Sequence, residues 1–170
     1  IQALMDAEDY QGVLALTGAA LDDDLTAYER SVLLRLEGNA LFQIGDYAGS
    51  ADRFERAIAT GALMRDEEGA LHLNVAQLQA VLENYDQAAA HLDRMMALDY
   101  AIPDFQKMAI AQIYAQARRF EAAVGFADDA IAATDAPSIA QLALLEHIYA
   151  ELGREADRAR IEARRQSLQD

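Results

Sequence analysis

The chain is organised by a repeated turn in which an aromatic residue follows a short polar or glycine-containing segment. The turn aromatics lie at successive steps of 37, 38 and 35 residues and are Tyr10, Tyr47, Tyr85 and Phe120. One more step of 35 residues reaches Glu155, just after Gly153, where the turn recurs without its aromatic. A period of this length is typical of chains built from stacked supersecondary units, so repeats are the first constraint on the fold.

Apolar residues at helical spacing flank these turns, as Leu34, Leu41 and Ile44 do before the turn at Tyr47. The repeated unit is therefore two amphipathic helices joined by a tight turn. Across the chain this pattern predicts helices near 1–7, 10–21, 26–44, 47–60, 67–83, 86–98, 104–117, 120–133, 138–152 and 154–168.

Several residues mark helix starts. Thr26 and Glu29 have the spacing of a capping box, and the acidic residues 66–68 suit the positive end of a helix dipole. Pro103 and Pro137 lie where helices are predicted to begin, and a missing N–H costs little there.

Small residues recur in the middle of the predicted helices, and close helix packing requires them. They are Gly38, Ala76 and Ala111 in first helices and Ala57, Ala88, Ala123 and Ala130 in second helices. No linker rich in glycine, serine or proline interrupts the series, so residues 1–170 are predicted to form a single array. The chain starts without methionine and already in a helical pattern, which we interpret as a mature form or a piece of a longer protein.

Residues 38–47, Gly-Asn-Ala-Leu-Phe-Gln-Ile-Gly-Asp-Tyr, continue through Phe54, Arg56, Ala57 and Ile58, and this segment resembles a tetratricopeptide repeat (TPR). The repeats around Tyr85 and Phe120 are similar more loosely, the family's tryptophan is absent, and Glu37 replaces a usual leucine. The resemblance implies an all-α, right-handed superhelix of antiparallel helix pairs. We expect four to five pairs, with a truncated first pair.

Composition excludes several function classes. The absence of cysteine removes disulfides and thiolate sites, and the chain has no phosphate-binding glycine motif. Its three histidines form no metal-binding spacing, and Asp22-Asp23-Asp24 lacks the glycine and acid of a calcium loop. The net charge of −15 opposes nucleic acid and anionic lipid, and no apolar run has the length of a membrane span. We therefore predict no cofactor, no metal and no catalysis.

The resemblance implies that first helices line a concave groove that binds a peptide or a partner protein. By register, the groove-facing residues are Arg35, Asn39, Phe42, Gln43, Asn74, Gln77, Phe105, Met108 and Gln112. The same register adds Leu73, Val81, Gln116, His147 and Glu151. Arg35 is either a charged anchor for a ligand or the partner of an acid such as Asp66 or Glu67, and the residues alone leave both open. A third alternative is that this face holds no fixed ligand.

The sequence thus predicts a non-catalytic scaffold that binds a basic or neutral protein or peptide. The alternatives are a self-assembling repeat module, which would form a homo-oligomer, and an enzyme. The run 110–116 and the segment 149–153 loosely resemble bacterial periplasmic repeat proteins linked to TonB-dependent transport. That resemblance favours the periplasm over the cytoplasm.

Overall fold

The computed structural model describes residues 1–168, which form ten helices and no strand. The helices are α1 (Gln2–Asp6), α2 (Tyr10–Leu21), α3 (Ala27–Gln43), α4 (Tyr47–Ala59), α5 (Arg65–Val81), α6 (Tyr85–Ala97), α7 (Asp104–Gln116), α8 (Phe120–Ala132), α9 (Ile139–Glu151) and α10 (Glu155–Gln166). Each predicted helix is present, and its ends differ from the predicted ones by at most two residues. None of these described helices is long and apolar enough to cross a membrane.

The helices fall into two compact units. The first unit, Ile1–Tyr100, contains α1–α6, and the second, from Ala101 onward, contains α7–α10. Within the first unit α3 packs on α4 and α5 on α6, while α4 also contacts α5. Within the second unit α7 packs on α8 and α9 on α10, with α8 against α9. The repeated unit is therefore a helix pair, as the turn period predicts.

The turns share one backbone geometry although their residues differ. In the turns that precede α2, α4, α6, α8 and α10, the residue two positions before the helix start has φ between 56° and 82°; these residues are Glu8, Gly45, Glu83, Arg118 and Gly153. The next residue donates its N–H to a carbonyl five positions earlier, as Asp46 does to Leu41 at 2.9 Å and Arg119 to Tyr114 at 2.8 Å. This left-handed helix ending reverses the chain so that the next helix packs back on the last.

Small residues stand where helices cross, which confirms that prediction. A Cβ atom added to Gly38 of α3 would lie 2.6 Å from Cδ1 of Phe54 on α4, so the phenyl ring takes the place of a side chain. Ala76 on α5 and Ala111 on α7, which are first helices like α3, are fully buried, as is Ala57 on the second helix α4. These contacts belong to the apolar core of each helix pair.

The residues predicted to mark helix starts lie at those starts, except that Pro137 lies one position too early. Thr26 and Glu29 form the capping box, with the Glu29 carboxylate accepting the Thr26 N–H at 2.9 Å. Pro103 is the N-cap of α7, but Pro137 lies one residue before the N-cap of α9. Ser138 caps α9 instead, because its hydroxyl accepts the N–H of Gln141.

A buried carboxylate joins three helices of the first unit. Glu37, which replaces the leucine usual in the repeat, is 4% exposed on α3. Its Oε2 lies 2.6 Å from Nε of Arg53 on α4, and its Oε1 accepts the hydroxyl of Thr17 on α2 at 3.1 Å. The departure from the repeat pattern is thus a polar link that holds α2, α3 and α4 together.

Candidate functional site

The first unit brings most of its predicted groove residues onto one surface, which we call the α3–α5 face. Asn39 and Asn74 are exposed there, and both line two adjoining clefts. One cleft has a volume of about 390 Å³ and includes Arg35, while the other has about 380 Å³ and includes Phe42 and Gln77. The α3–α5 face is defined by Arg35, Asn39, Phe42, Asn74, Gln77 and Val81.

Helix register explains this convergence. Arg35, Asn39 and Phe42 are spaced four and three residues apart on α3, so they share one side of that helix. Asn74 and Gln77 are three residues apart on α5, and they line the same cleft as Asn39 and Phe42 of α3. Gln43, also predicted for this site, is exposed on α3 but does not line either cleft.

The first cleft is polar and contains an ion pair. Nη1 of Arg35 lies 2.8 Å from Oε1 of Glu67, so the structure shows the pairing that the sequence had left as one of two alternatives. The other oxygen of Glu67 accepts the N–H of Met64 at 3.2 Å. The Arg35 guanidinium and the Met64 amide lower the pKa of Glu67 below its usual value. Arg35 therefore lines this cleft with its positive charge already balanced by Glu67, and Asp66 adds a further negative charge there.

The second cleft is apolar with an amide rim. Its floor is formed by the buried side chains of Phe54 and Leu78. Phe42 is 49% exposed and Val81 is 61% exposed at its edge. Large apolar side chains left in solvent beside a cleft are typical of surfaces that bind a partner. Amide groups next to them suit the N–H and C=O groups of an extended backbone.

The remaining predicted residues belong to the second unit. Phe105, Met108 and Gln112 are spaced three and four residues apart on α7, so they share one face of that helix. Phe105 and Gln112 are exposed and Met108 is half-buried. Gln116 on α7 is also exposed, as are His147 and Glu151 on α9.

The register was wrong for Leu73. This residue is 4% exposed, so it packs inside the first unit and does not face solvent. It immediately precedes Asn74 on α5, and one residue turns the side chain by about 100° around a helix. The exposed stripe of α5 is therefore narrower than the pattern of polar residues indicated.

One cluster was not found from the sequence. His72 on α5 and His91 on α6 are buried and contact each other, although they are 19 residues apart and belong to no common sequence motif. Within residues 1–168 no group of three or more histidine, aspartate or glutamate side chains is arranged to hold a metal ion.

Comparison with known proteins identifies the fold. No family model matches the sequence. The crystal structure of MamA superposes with a TM-score of 0.72 at 12% identity, covering 97% of this chain and 91% of that chain. A Podosopora anserina kinesin light chain with nearly identical TPR-like repeats gives a TM-score of 0.66 at 15% identity, covering 99% and 90%. The Hsp90 co-chaperone Cns1 from Saccharomyces cerevisiae gives 0.57 at 17% identity, covering 85% of this chain and 47% of that chain.

At these identities the likeness concerns the fold alone. The solved structures include proteins described by their TPR-like repeats, and they match nearly the whole chain. The predicted all-α, TPR-like solenoid fold is therefore confirmed.

Proposed function

We propose that this protein is a non-catalytic scaffold that binds another protein or a peptide at the α3–α5 face. The observation that carries the proposal is the pair of adjoining clefts, in which exposed Asn39 and Asn74 stand beside exposed Phe42 and Val81. Stacked helix repeats present extended surfaces of this kind to their partners.

The rigid helices that carry these side chains favour binding. Phe54 and Leu78 are buried beneath the face, so the exposed residues stand on a packed floor. A ligand that covers Phe42 and Val81 removes apolar surface from water, at about 25 cal/mol per Å². Because the helices are already ordered, little conformational entropy is lost on their side of the complex.

Charge defines the expected ligand. The chain carries −15 overall, and Asp66 and Glu67 line the polar cleft. An incoming carboxylate would have to displace Glu67 from Arg35, and this exchange yields little net gain. We therefore propose an extended ligand that is neutral or basic, with an apolar side chain placed against Phe42.

Peptides selected from a random display library against the purified protein provide the test. We expect selected sequences to be neutral or basic and to contain an apolar anchor. By calorimetry, Phe42→Ala should weaken their binding about tenfold or more, and Asn74→Ala should weaken it less. Arg35→Ala should change affinity little, because Arg35 is already paired with Glu67.

Met96→Ala is the matched control, because Met96 is an apolar residue of α6, 43% exposed, and outside both clefts. It should leave affinity unchanged. Selected peptides that bind folded Phe42→Ala and Asn74→Ala variants as tightly as the unaltered protein would contradict the proposal.

Three finer predictions stay open to test. Phe105, Met108 and Gln112 are proposed binding residues on α7 of the second unit, and alanine variants at these positions check that proposal in a separate peptide selection. Self-association is checked by sedimentation at several concentrations. Location in the periplasm and a link to TonB-dependent transport rest on the loose sequence resemblance. Fractionation of source cells checks the location.

A further inference from the structure

Two buried histidines face each other inside the first unit. His72 on α5 and His91 on α6 are 3% and 6% exposed. Their Nδ1 atoms are 2.9 Å apart, and the ring centroids are 5.2 Å apart. That Nδ1 separation is a hydrogen-bond length, so one Nδ1 carries a proton and donates it to the lone pair of the other.

Charged groups from three helices surround the pair. Nε2 of His91 lies 3.4 Å from Oε1 of Glu55 on α4, and Nε2 of His72 lies 3.8 Å from Oε1 of Glu68 on α5. Arg94, on α6, adds a positive charge that acts on both rings. Because Glu55 is the nearer acceptor, we assign the Nε2 proton to His91 and the donating Nδ1 proton to His72.

Counting protons shows which charge states this geometry accepts. The neutral pair keeps the Nδ1–Nδ1 hydrogen bond. A first added proton leaves one ring cationic, and that ring is His91, whose Nε2 lies beside Glu55. His91 then donates its Nδ1 proton to Nδ1 of His72, whose own proton is on Nε2, so the bond persists with its direction reversed. A second added proton has to bind Nδ1 of His72, which is now the acceptor of that bond. Two N–H groups on two cationic rings would then oppose each other at 2.9 Å, so the contact has to open.

We propose that the His72–His91 hydrogen bond is an acid-sensitive latch between α5 and α6, which proton uptake breaks so that α6 loosens from α5. Solvent reaches the pair through a cleft of about 380 Å³. This cleft is lined by Glu55, Ile58, His72, Gln87, Ala90, His91 and Arg94.

The direction of the pH effect follows from burial. Desolvation lowers the pKa of His72 from 6.5 to about 4, helped by the positive charges of His91 and Arg94. Desolvation also lowers the pKa of His91, although Glu55 opposes this change. The closed state therefore resists protons that a solvated histidine accepts. The stability of the contact is complete above a pH of about 6.5 and is lost as the pH falls towards 4.

The latch lies behind the proposed binding face, so this regulatory role rests on the proposed function. Asn74 and Gln77 of that face are on α5, within two turns of His72. Glu67, the partner of Arg35, is on the same helix. Loosening α5 from α6 in acid therefore disturbs the surface that receives the ligand.

Hydrogen–deuterium exchange of the free protein at pH 7.5 and pH 5.0, corrected for intrinsic rates, provides the test. For a pKa lowered from 6.5 to about 4, the open state gains about 30-fold between these two pH values. We expect that gain in the amides of α5 and α6, including those of Asn74 and Gln77. Because no ligand is present, the result does not depend on whether the α3–α5 face binds peptides.

His72→Asn removes a titrating ring while its amide can still donate a hydrogen bond to His91, and it should reduce the pH effect at least fivefold. His147→Asn is the matched control, because His147 is exposed on α9 and should leave the effect intact. Equal opening of α5 and α6 at both pH values, or an undiminished pH effect in His72→Asn, would overturn the proposal. An NMR titration of the unaltered protein gives a second readout, and a His72 ring that titrates near pH 6.5 would also overturn it.

Discussion

Truncation of Arg53 should destabilise the first unit more than removal of its partner Glu37. The Glu37 carboxylate is buried on α3 and receives Nε of Arg53 at 2.6 Å. Arg53→Met keeps most of the aliphatic stem but leaves Glu37 buried without its counter-charge. Loss of one partner of a buried ion pair typically costs about 3–5 kcal/mol of unfolding free energy. Because the Arg53 side chain is 31% exposed, water can enter after truncation, and we expect about 2–3 kcal/mol.

Glu37→Leu perturbs the same contact from the other side. It removes the buried charge and leaves Arg53 paired with Asp52 near solvent. Thr17 loses one contact but still donates its hydroxyl to the carbonyl of Val13 at 2.8 Å. We therefore expect Glu37→Leu to change the unfolding free energy by less than about 1 kcal/mol, since apolar replacement of buried ions is often neutral. The double variant should regain most of the stability that Arg53→Met loses.

Urea and thermal unfolding followed by circular dichroism provide the measurement. For a chain of this length, about 1 kcal/mol corresponds to a Tm change of about 2–4 °C, so Arg53→Met should lower Tm by about 4–12 °C. Arg56→Met is the control on the same helix, because Arg56 lies 3.7 Å from Asp52 with both side chains more than half exposed. It should change stability by less than about 0.5 kcal/mol. The reasoning fails if Arg53→Met costs no more than Arg56→Met, or if Glu37→Leu does not rescue it.

Three further substitutions, one of them with a matched control, test the fold by unfolding measurements. Gly38→Ala should cost about 1–3 kcal/mol because its Cβ meets the buried ring of Phe54, whereas Gly125→Ala, where a Cβ meets nothing within 4 Å, should be neutral or stabilising. Glu83→Gly should stabilise by about 1 kcal/mol because this residue has a φ of 61°, and a destabilised variant would contradict the turn argument. Tyr149→Phe should cost about 1–2 kcal/mol because the buried hydroxyl donates to a carboxylate of α8. Burial and the carboxylate of Asp128 raise the pKa of Tyr149 to about 12, so this hydroxyl should remain mostly protonated at pH 11 in a spectrophotometric titration.

The helices could be predicted closely because each turn repeats one backbone geometry. Glu83 and Arg118 occupy the positive-φ position that Gly45 fills in the best-matched repeat. A search for glycine alone would have missed both turns. The aromatic residue after each turn and the flanking apolar residues revealed the repeat period even where the turn residue varied. Local geometry of this kind is encoded within a few neighbouring residues, and a single sequence reveals it.

Contacts between helices were harder to predict from the sequence. Register placed Arg35, Asn39 and Phe42 on one face of α3 correctly, because that face depends only on spacing along the helix. The partner of Arg35 is 32 residues away, and the sequence offered both Asp66 and Glu67 without choosing between them. Such pairings depend on the crossing of two helices and on side-chain rotamers, and periodicity specifies neither.

Two arginines of the first unit have their positive charge balanced by ion pairs. Arg53 is held by Glu37 inside the helix stack, and Arg35 is held by Glu67 at the edge of the α3–α5 face. Both guanidinium groups are therefore already paired, and of the two roles that the sequence left open for Arg35 the structure shows the ion pair. A ligand at the proposed binding face would then contact the amides of Asn39 and Asn74 and the apolar surface around Phe42. The net charge of −15 acts at longer range, where it favours the approach of basic partners and is screened by salt. Affinity at this face should therefore come from apolar burial and amide hydrogen bonds, and the charge of the chain should influence how fast a partner arrives.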